Sequence, residues 1–192
     1  PGSLLAVWSM QRNATPPAPA TGQVALGAHA LVGQEEERAD AVARTPPLRT
    51  AARGSSLLAV VAGYVVNDAA PTDSFGNRWR RLGSPVVYRG YEDRFDVRAY
   101  WVPDARGGDG HVVEVDKRGR PAGELTLVAV EARNAGRLVD IAQTYPGPAL
   151  QQHSGSVTTD GPALLVAMWW GDGADLRHAV QPGEGFRVIE RF

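Results

Sequence analysis

The stretch FDVRAYWVPDARGGDGHVVEVD, Phe95 to Asp116, holds the alternation that decides the fold. Phe95, Val97 and Ala99 alternate with Asp96, Arg98 and Tyr100, and farther on Val113 and Val115 alternate with Glu114 and Asp116. A period of two sends successive side chains to opposite faces of a pleated strand. Each run therefore predicts a strand with one apolar and one wet face. Between them, DARGGDGH has the glycines and acids of a hairpin or loop connection. No helical pattern follows Gly107-Gly108, as a phosphate cradle would need.

The same grammar recurs in both directions. Apolar runs begin at Leu4 (LLAVWSM), Gln23 (QVALGAHALVG), Ser56 (SLLAVVAGYVV), Trp79 (WRRLGSPVVYRG), Glu124 (ELTLVAVEAR), Ala163 (ALLVAMWWG) and Phe186 (FRVIERF). Most are bounded by glycine, proline or other turn residues. SLLAVVAGYVV and ALLVAMWW are apolar on both faces and read as central or doubly covered strands. Many short strands with few helical patterns predict an all-β, antiparallel sandwich, jelly-roll or immunoglobulin-like, in one domain over residues 1–192. One segment dissents. QEEERADAVAR, residues 34–44, is made of helix formers and is stopped by Pro46 and Pro47, which predicts a short helix or ordered loop. A Pro-rich loop is expected over residues 14–22.

Composition narrows the function. The chain has 192 residues, a formal net charge of −1 and no cysteine. The charge gives no global field to attract nucleic acid, and the missing thiols exclude disulfides, thiolate metal sites and cysteine nucleophiles. Lys117 is the single lysine; the other cations are arginines scattered among acids. No apolar run approaches the roughly 20 residues of a membrane span. The opening Pro1-Gly2-Ser3 resembles a cloning remnant. No motif asks for a cofactor.

Three constellations carry the candidate chemistry. In TDSFGNRW, from Thr72, Asp73 and Asn77 flank Gly76, the make-up of either a calcium loop or a tight turn. Phe75 stands where a ligand should be and Arg78, Arg80 and Arg81 follow. The turn reading is therefore preferred, with Asp73 bonding ahead to backbone N–H groups and Gly76-Asn77 tolerating positive φ. His29, His111, His153 and His178 lack metal-ligand spacing and read as strand or loop positions. Glu131 leads the strand-borne acids (Glu114, Glu124 and Glu190 are the others) as a catalytic residue, if the sandwich hosts a hydrolase or lyase with paired carboxylates ~5–9 Å apart. The third group is aromatic: Trp169, Trp170, Tyr88, Tyr91 and Trp101 are candidate ligand-binding residues. Neighbours on a strand face opposite ways, so one of Trp169 and Trp170 is core while the other is covered by loops or presents its ring outward.

TDSFGNRW from Thr72, RGGDGHVVEV from Arg106 and SGSVTTDGPALLVAMWW from Ser154 resemble a family of bacterial β-sandwich proteins that are exported, surface-located or associated with phage tails. The resemblance implies a sandwich without established catalytic residues, in which Asp73, Gly76, Asn77 and Trp79 form a structural corner. It points to an extracellular or cell-surface setting. It also brings in homo-oligomeric assembly, with strands pairing between subunits. The expectation is a binding or structural module, recognising a polysaccharide or surface glycan through its aromatics.

Overall fold

The computed structural model describes residues 3–11, 22–37, 40–147, 151–172 and 181–191. The strands are β1 (Ser3–Gln11), β2 (Ala25–Gln34), β3 (Val42–Arg44), β4 (Leu48–Arg49), β5 (Ser55–Tyr64), β6 (Thr72–Asp73), β7 (Arg80–Tyr88), β8 (Phe95–Ala105), β9 (Asp109–His111), β10 (Val113–Asp116), β11 (Leu125–Arg133), β12 (Leu164–Asp172) and β13 (Phe186–Arg191). Single 3-10 turns lie at Val65–Asn67 and Arg89–Tyr91. The chain is an all-β, antiparallel sandwich. A five-stranded sheet, in the order β2-β11-β5-β8-β7, is accompanied by a three-stranded sheet, β12-β1-β13, and by the small sheets β3-β10-β6 and β4-β9.

The inner strands of the central sheet, β11, β5 and β8, are buried on both faces. On one face Val128, Val130, Leu31 and Leu58 meet Val166, Met168, Trp170 and Ile189 of the three-stranded sheet. His29 Nδ1 on β2, 2.6 Å from Glu190 Oε1 on β13, ties the same two layers. On the other face Leu57, Ala59, Val61, Tyr100, Leu125, Leu127 and Ala129 pack with Ala43, Trp79, Val113 and Val115 from the small sheets. This double cover explains why SLLAVVAGYVV lacks polar alternation: a strand buried on both sides has no wet face to mark.

Double cover also corrects the expected wet face of β8. Asp96, Arg98 and Tyr100 are all interior, at 4%, 1% and 1% exposure. Arg98 Nη1 donates to the Asn67 carbonyl at 2.7 Å, and its Nε lies 2.8 Å from Asp96 Oδ1, an ion pair outside hydrogen-bond angles. Burial raises the Asp96 carboxyl above its ordinary range, with the Arg98 charge opposing. The polar alternation was real, but the 65–71 segment covers it. The other alternating run behaves as read: Val113 and Val115 are buried and Asp116 is exposed.

Three more expectations change. Residues 34–44 contain no helix among the described positions: β2 runs to Gln34, the chain turns at Glu36 and Glu37 (φ 69°), and Val42–Arg44 form β3 on β10. Glu36 is held by the Tyr64 hydroxyl at 2.7 Å and by Arg120, so tertiary partners override local helix propensity. The loop reading holds for residues 35–37 and 40–41. Among the described residues β12 is an edge strand, paired only with β1, and its outer residues Leu165, Ala167 and Trp169 are half-buried. His111, expected at an exposed strand or loop position, is fully buried. The Pro-rich stretch 14–22, apart from Gly22, and His178 lie outside the described residues.

Lys117 is interior as well, at 0% exposure. Its Nζ donates to the Gly123 carbonyl at 3.1 Å, across the turn joining β10 to β11. Burial lowers its pKa, with Asp40 acting in the opposite sense. Among the described residues no helix is long and apolar enough to cross a membrane.

Candidate functional site

The corner in TDSFGNRW is a turn closed on Asp73. Gly76, at φ 66°, supplies the left-handed residue, and its N–H donates to the Asp73 carbonyl at 3.1 Å; Asn77 keeps negative φ. Asp73 Oδ1 accepts from the backbone N–H groups of Phe75 at 2.9 Å and Asn77 at 3.2 Å, and from Asn77 Nδ2 at 3.2 Å. Asp73 Oδ2 accepts from the Trp79 indole at 2.8 Å. His111 Nε2 lies 3.6 Å away, while its Nδ1 is 2.9 Å from Thr50 Oγ1. Burial pushes the Asp73 carboxyl up, but His111, the backbone donors and Trp79 outweigh it and hold the group below its ordinary range. Asn77 is turned away from the role of metal ligand: its Nδ2 also reaches the Arg106 carbonyl and its Oδ1 accepts from the Arg106 N–H. The site's oxygens face N–H donors, the opposite of a cation cage.

Glu131 is likewise surrounded by donors. Its carboxylate accepts from Ala51 N–H at 2.7 Å, Ser55 Oγ at 2.7 Å, Ala28 N–H at 2.9 Å and Arg133 Nε at 3.2 Å. It fills a bulge of β2, opposite residues 27 and 28; a Cβ on Gly27 would sit 2.1 Å from Oε2, so only glycine fits there. Burial raises this carboxyl, and the bonds from Ala51, Ala28, Ser55 and Arg133 overcome that and lower it. A general acid needs the reverse shift and a path to substrate. Glu131 has neither; it clamps the β2 bulge to the start of β5.

The aromatic candidates divide. Tyr88, Tyr91 and Trp170 come together at one end of the central sheet, with Phe95, Tyr64 and Tyr145. Trp170 stacks on Phe95, with centroids 5.5 Å apart and planes at 10°, and meets Tyr88 edge-on at 5.4 Å. Tyr88 in turn meets Tyr145 at 6.0 Å. Tyr91 packs edge-on against Phe95 at 5.5 Å, and Tyr64 lies 4.2 Å from the same ring. The surface members are Tyr91 and Tyr145, exposed by 37% and 36%. Each carries an arginine: Arg94 lies 4.5 Å over Tyr91, and Arg89 lies 5.8 Å over Tyr145.

Trp101 and Trp169 stand apart from this cluster. Trp101 pairs with Leu58 and Arg80 at the far end of β8, roughly 20 Å from Phe95 at strand rise. Trp169 points to the face of β12 opposite Trp170, and its ring crosses Gly171. The tryptophan pair thus splits as alternation requires. Sequence alone gave no weight to Arg89 and Arg94, and nothing in the order of residues brings the 134–163 connection back to β7.

Beside Tyr145 runs an open groove of about 460 Å³, lined by Ser84, Pro85, Val86 and Val87 of β7, by Arg89, and by Gln143 to Tyr145 of the long connection. Four other large apolar residues on this connection, Leu138, Val139, Ile141 and Val157, are also exposed. Residues 134–147 and 151–163 hold no strand or helix, and connections this long are usually functional loops or else linker or disordered segments. No family model matches this chain, and neither a curated protein nor a solved structure is significantly similar to it.

Proposed function

We propose that this chain is a non-catalytic binding module that recognises carbohydrate or another surface component through the aromatic end of the sandwich. One observation carries the reading. Tyr145 presents its ring at an open groove and Tyr91 is exposed at the same end of the sheet, while Trp170, Phe95 and Tyr88 brace them from within. Rings held on rigid strands lose little conformational freedom on contact, and sugars stack on them through C–H faces. Gln143, Ser84 and Thr144 add the hydroxyls and amide that hydrogen-bond a sugar. The resemblance to exported and phage-tail β-sandwich proteins favours a surface setting for such a module. The hydrolase alternative weakens because its leading acid, Glu131, is engaged by four donors inside the fold.

A glycan array read with the wild-type chain should give hits that disappear in Tyr91→Ala and Tyr145→Ala and persist in Trp101→Ala, all three melting cooperatively. Loss of the hits in Trp101→Ala alone would move the site to the other end. A second reading, assembly through strand pairing between subunits, draws on β12: an edge strand free of proline and uncharged before Asp172, paired to β1 without a bulge. A defined oligomer in light scattering, broken by Ala167→Pro, would favour it.

A further inference from the structure

We infer that the groove along β7 takes an acidic polysaccharide, a linear uronate-type chain, in preference to a neutral one; this rests on the carbohydrate reading of the same site. Between Ser74 and Tyr91 the sequence has four arginines, Arg78, Arg80, Arg81 and Arg89, and no carboxylate. Arg81 is engaged by Asp68. Among the described residues Arg78, Arg80 and Arg89 form no ion pair, although elsewhere most arginines do: Arg44, Arg49, Arg94, Arg120 and Arg137 each meet a carboxylate. None of the residues lining the groove is acidic, and Arg89 is its one charge. Asp140, on the neighbouring loop, bonds instead to the backbone N–H groups of Ile141 and Thr158.

Geometry selects the kind of polymer. β7 is the edge of the central sheet, and among the described residues no strand pairs with its outer side. Extension of the ladder by a second strand is disfavoured there: Pro85 has no N–H, and the pairing of β7 with β8 is broken between Leu82 and Val86, where Gly83 takes φ 59°. A chain that needs no backbone ladder is not hindered. Arg80 and Arg89 stand nine residues apart, roughly 30 Å at strand rise less the shortening of the bulge, the reach of several sugar units. Arg89, lying over the Tyr145 ring, meets a carboxylate, the part of that ring left exposed packs against the sugar bearing it, and Arg80 meets a second carboxylate farther along.

The test is affinity electrophoresis of the whole chain in gels containing polygalacturonate, dextran or single-stranded poly-dT. Retardation by polygalacturonate that weakens with added salt, with little by dextran, is the expected result. Arg89→Gln should cut the polygalacturonate affinity roughly tenfold, Arg89→Lys should restore part of it, and the remote Arg118→Gln should change nothing. Equal retardation by dextran, or indifference to Arg89→Gln, overturns the acidic preference while leaving a sugar site standing. Stronger retardation by poly-dT at the same ionic strength overturns it in favour of nucleic acid. No retardation by either polysaccharide removes the carbohydrate reading together with this inference.

Discussion

The two carboxylate sites and the aromatic end answer opposite questions about the molecule. At Asp73 and Glu131 the oxygens point inward and are met by protein donors, four to each carboxylate within hydrogen-bond distance. At Tyr91 and Tyr145 the rings are braced from behind, each carries an arginine, and more than a third of each residue still reaches solvent. Residue types that look like chemistry in a sequence serve here as fasteners, whereas types that look like core reach the surface. Saturation of partners, and not residue identity, separates a structural group from an available one.

The contrast is broken most severely at Glu131. Glu131→Ala strips partners from the Ala28 and Ala51 N–H groups and leaves Arg133 without its acceptor; the expected loss is about 3–5 kcal/mol in urea unfolding. Glu131→Gln, which keeps the shape, should cost less, about 1–3 kcal/mol. Unchanged stability in both variants would mean that the cradle is not a fastener. Asp73→Ala should come next, about 2–3 kcal/mol, with a shift in Trp79 fluorescence as the indole loses its acceptor.

Acid titration sharpens the same point. Both carboxyls are held below their ordinary range in the fold, so each binds its proton more weakly folded than unfolded. Their contribution is complete above the unfolded value, near pH ~4, and is lost as pH falls through the lowered folded values. Asp96, whose carboxyl is raised, works in the other direction over the range just above pH ~4. Chemical denaturation at stepped pH should show wild-type stability falling at acid pH, with a shallower fall in Asp73→Asn. The smallest effect belongs to the open end: Tyr91→Ala and Tyr145→Ala should each alter stability by under about 1 kcal/mol, because their rings are more than a third exposed. A larger loss would make them fasteners too.

Much of the fold was legible because alternation and apolar runs report burial directly. The long strands β1, β2, β5, β7, β8, β11, β12 and β13 all fall on apolar runs of the sequence, as does the shorter β10. The two- and three-residue strands β3, β4, β6 and β9 were not, since segments so short have no period. Polarity at Asp96 and Arg98 misled because local pattern cannot say whether a later segment will fold over a wet face. For the site, Asp73 and its turn were readable, as Asx bonding is local. Tyr88, Tyr91 and Trp170 could be named but not joined. Their meeting depends on the outer sheet laying Trp170 over Phe95, a contact between residues 75 positions apart.

Lys117 gives the fold a built-in reporter. As the one side-chain amine in the chain, shut behind the 117–123 turn with its Nζ on the Gly123 carbonyl, it offers acylating reagents nothing on the native surface. Modification at that nitrogen, followed by peptide mass spectrometry over time, therefore clocks the breathing of a single turn.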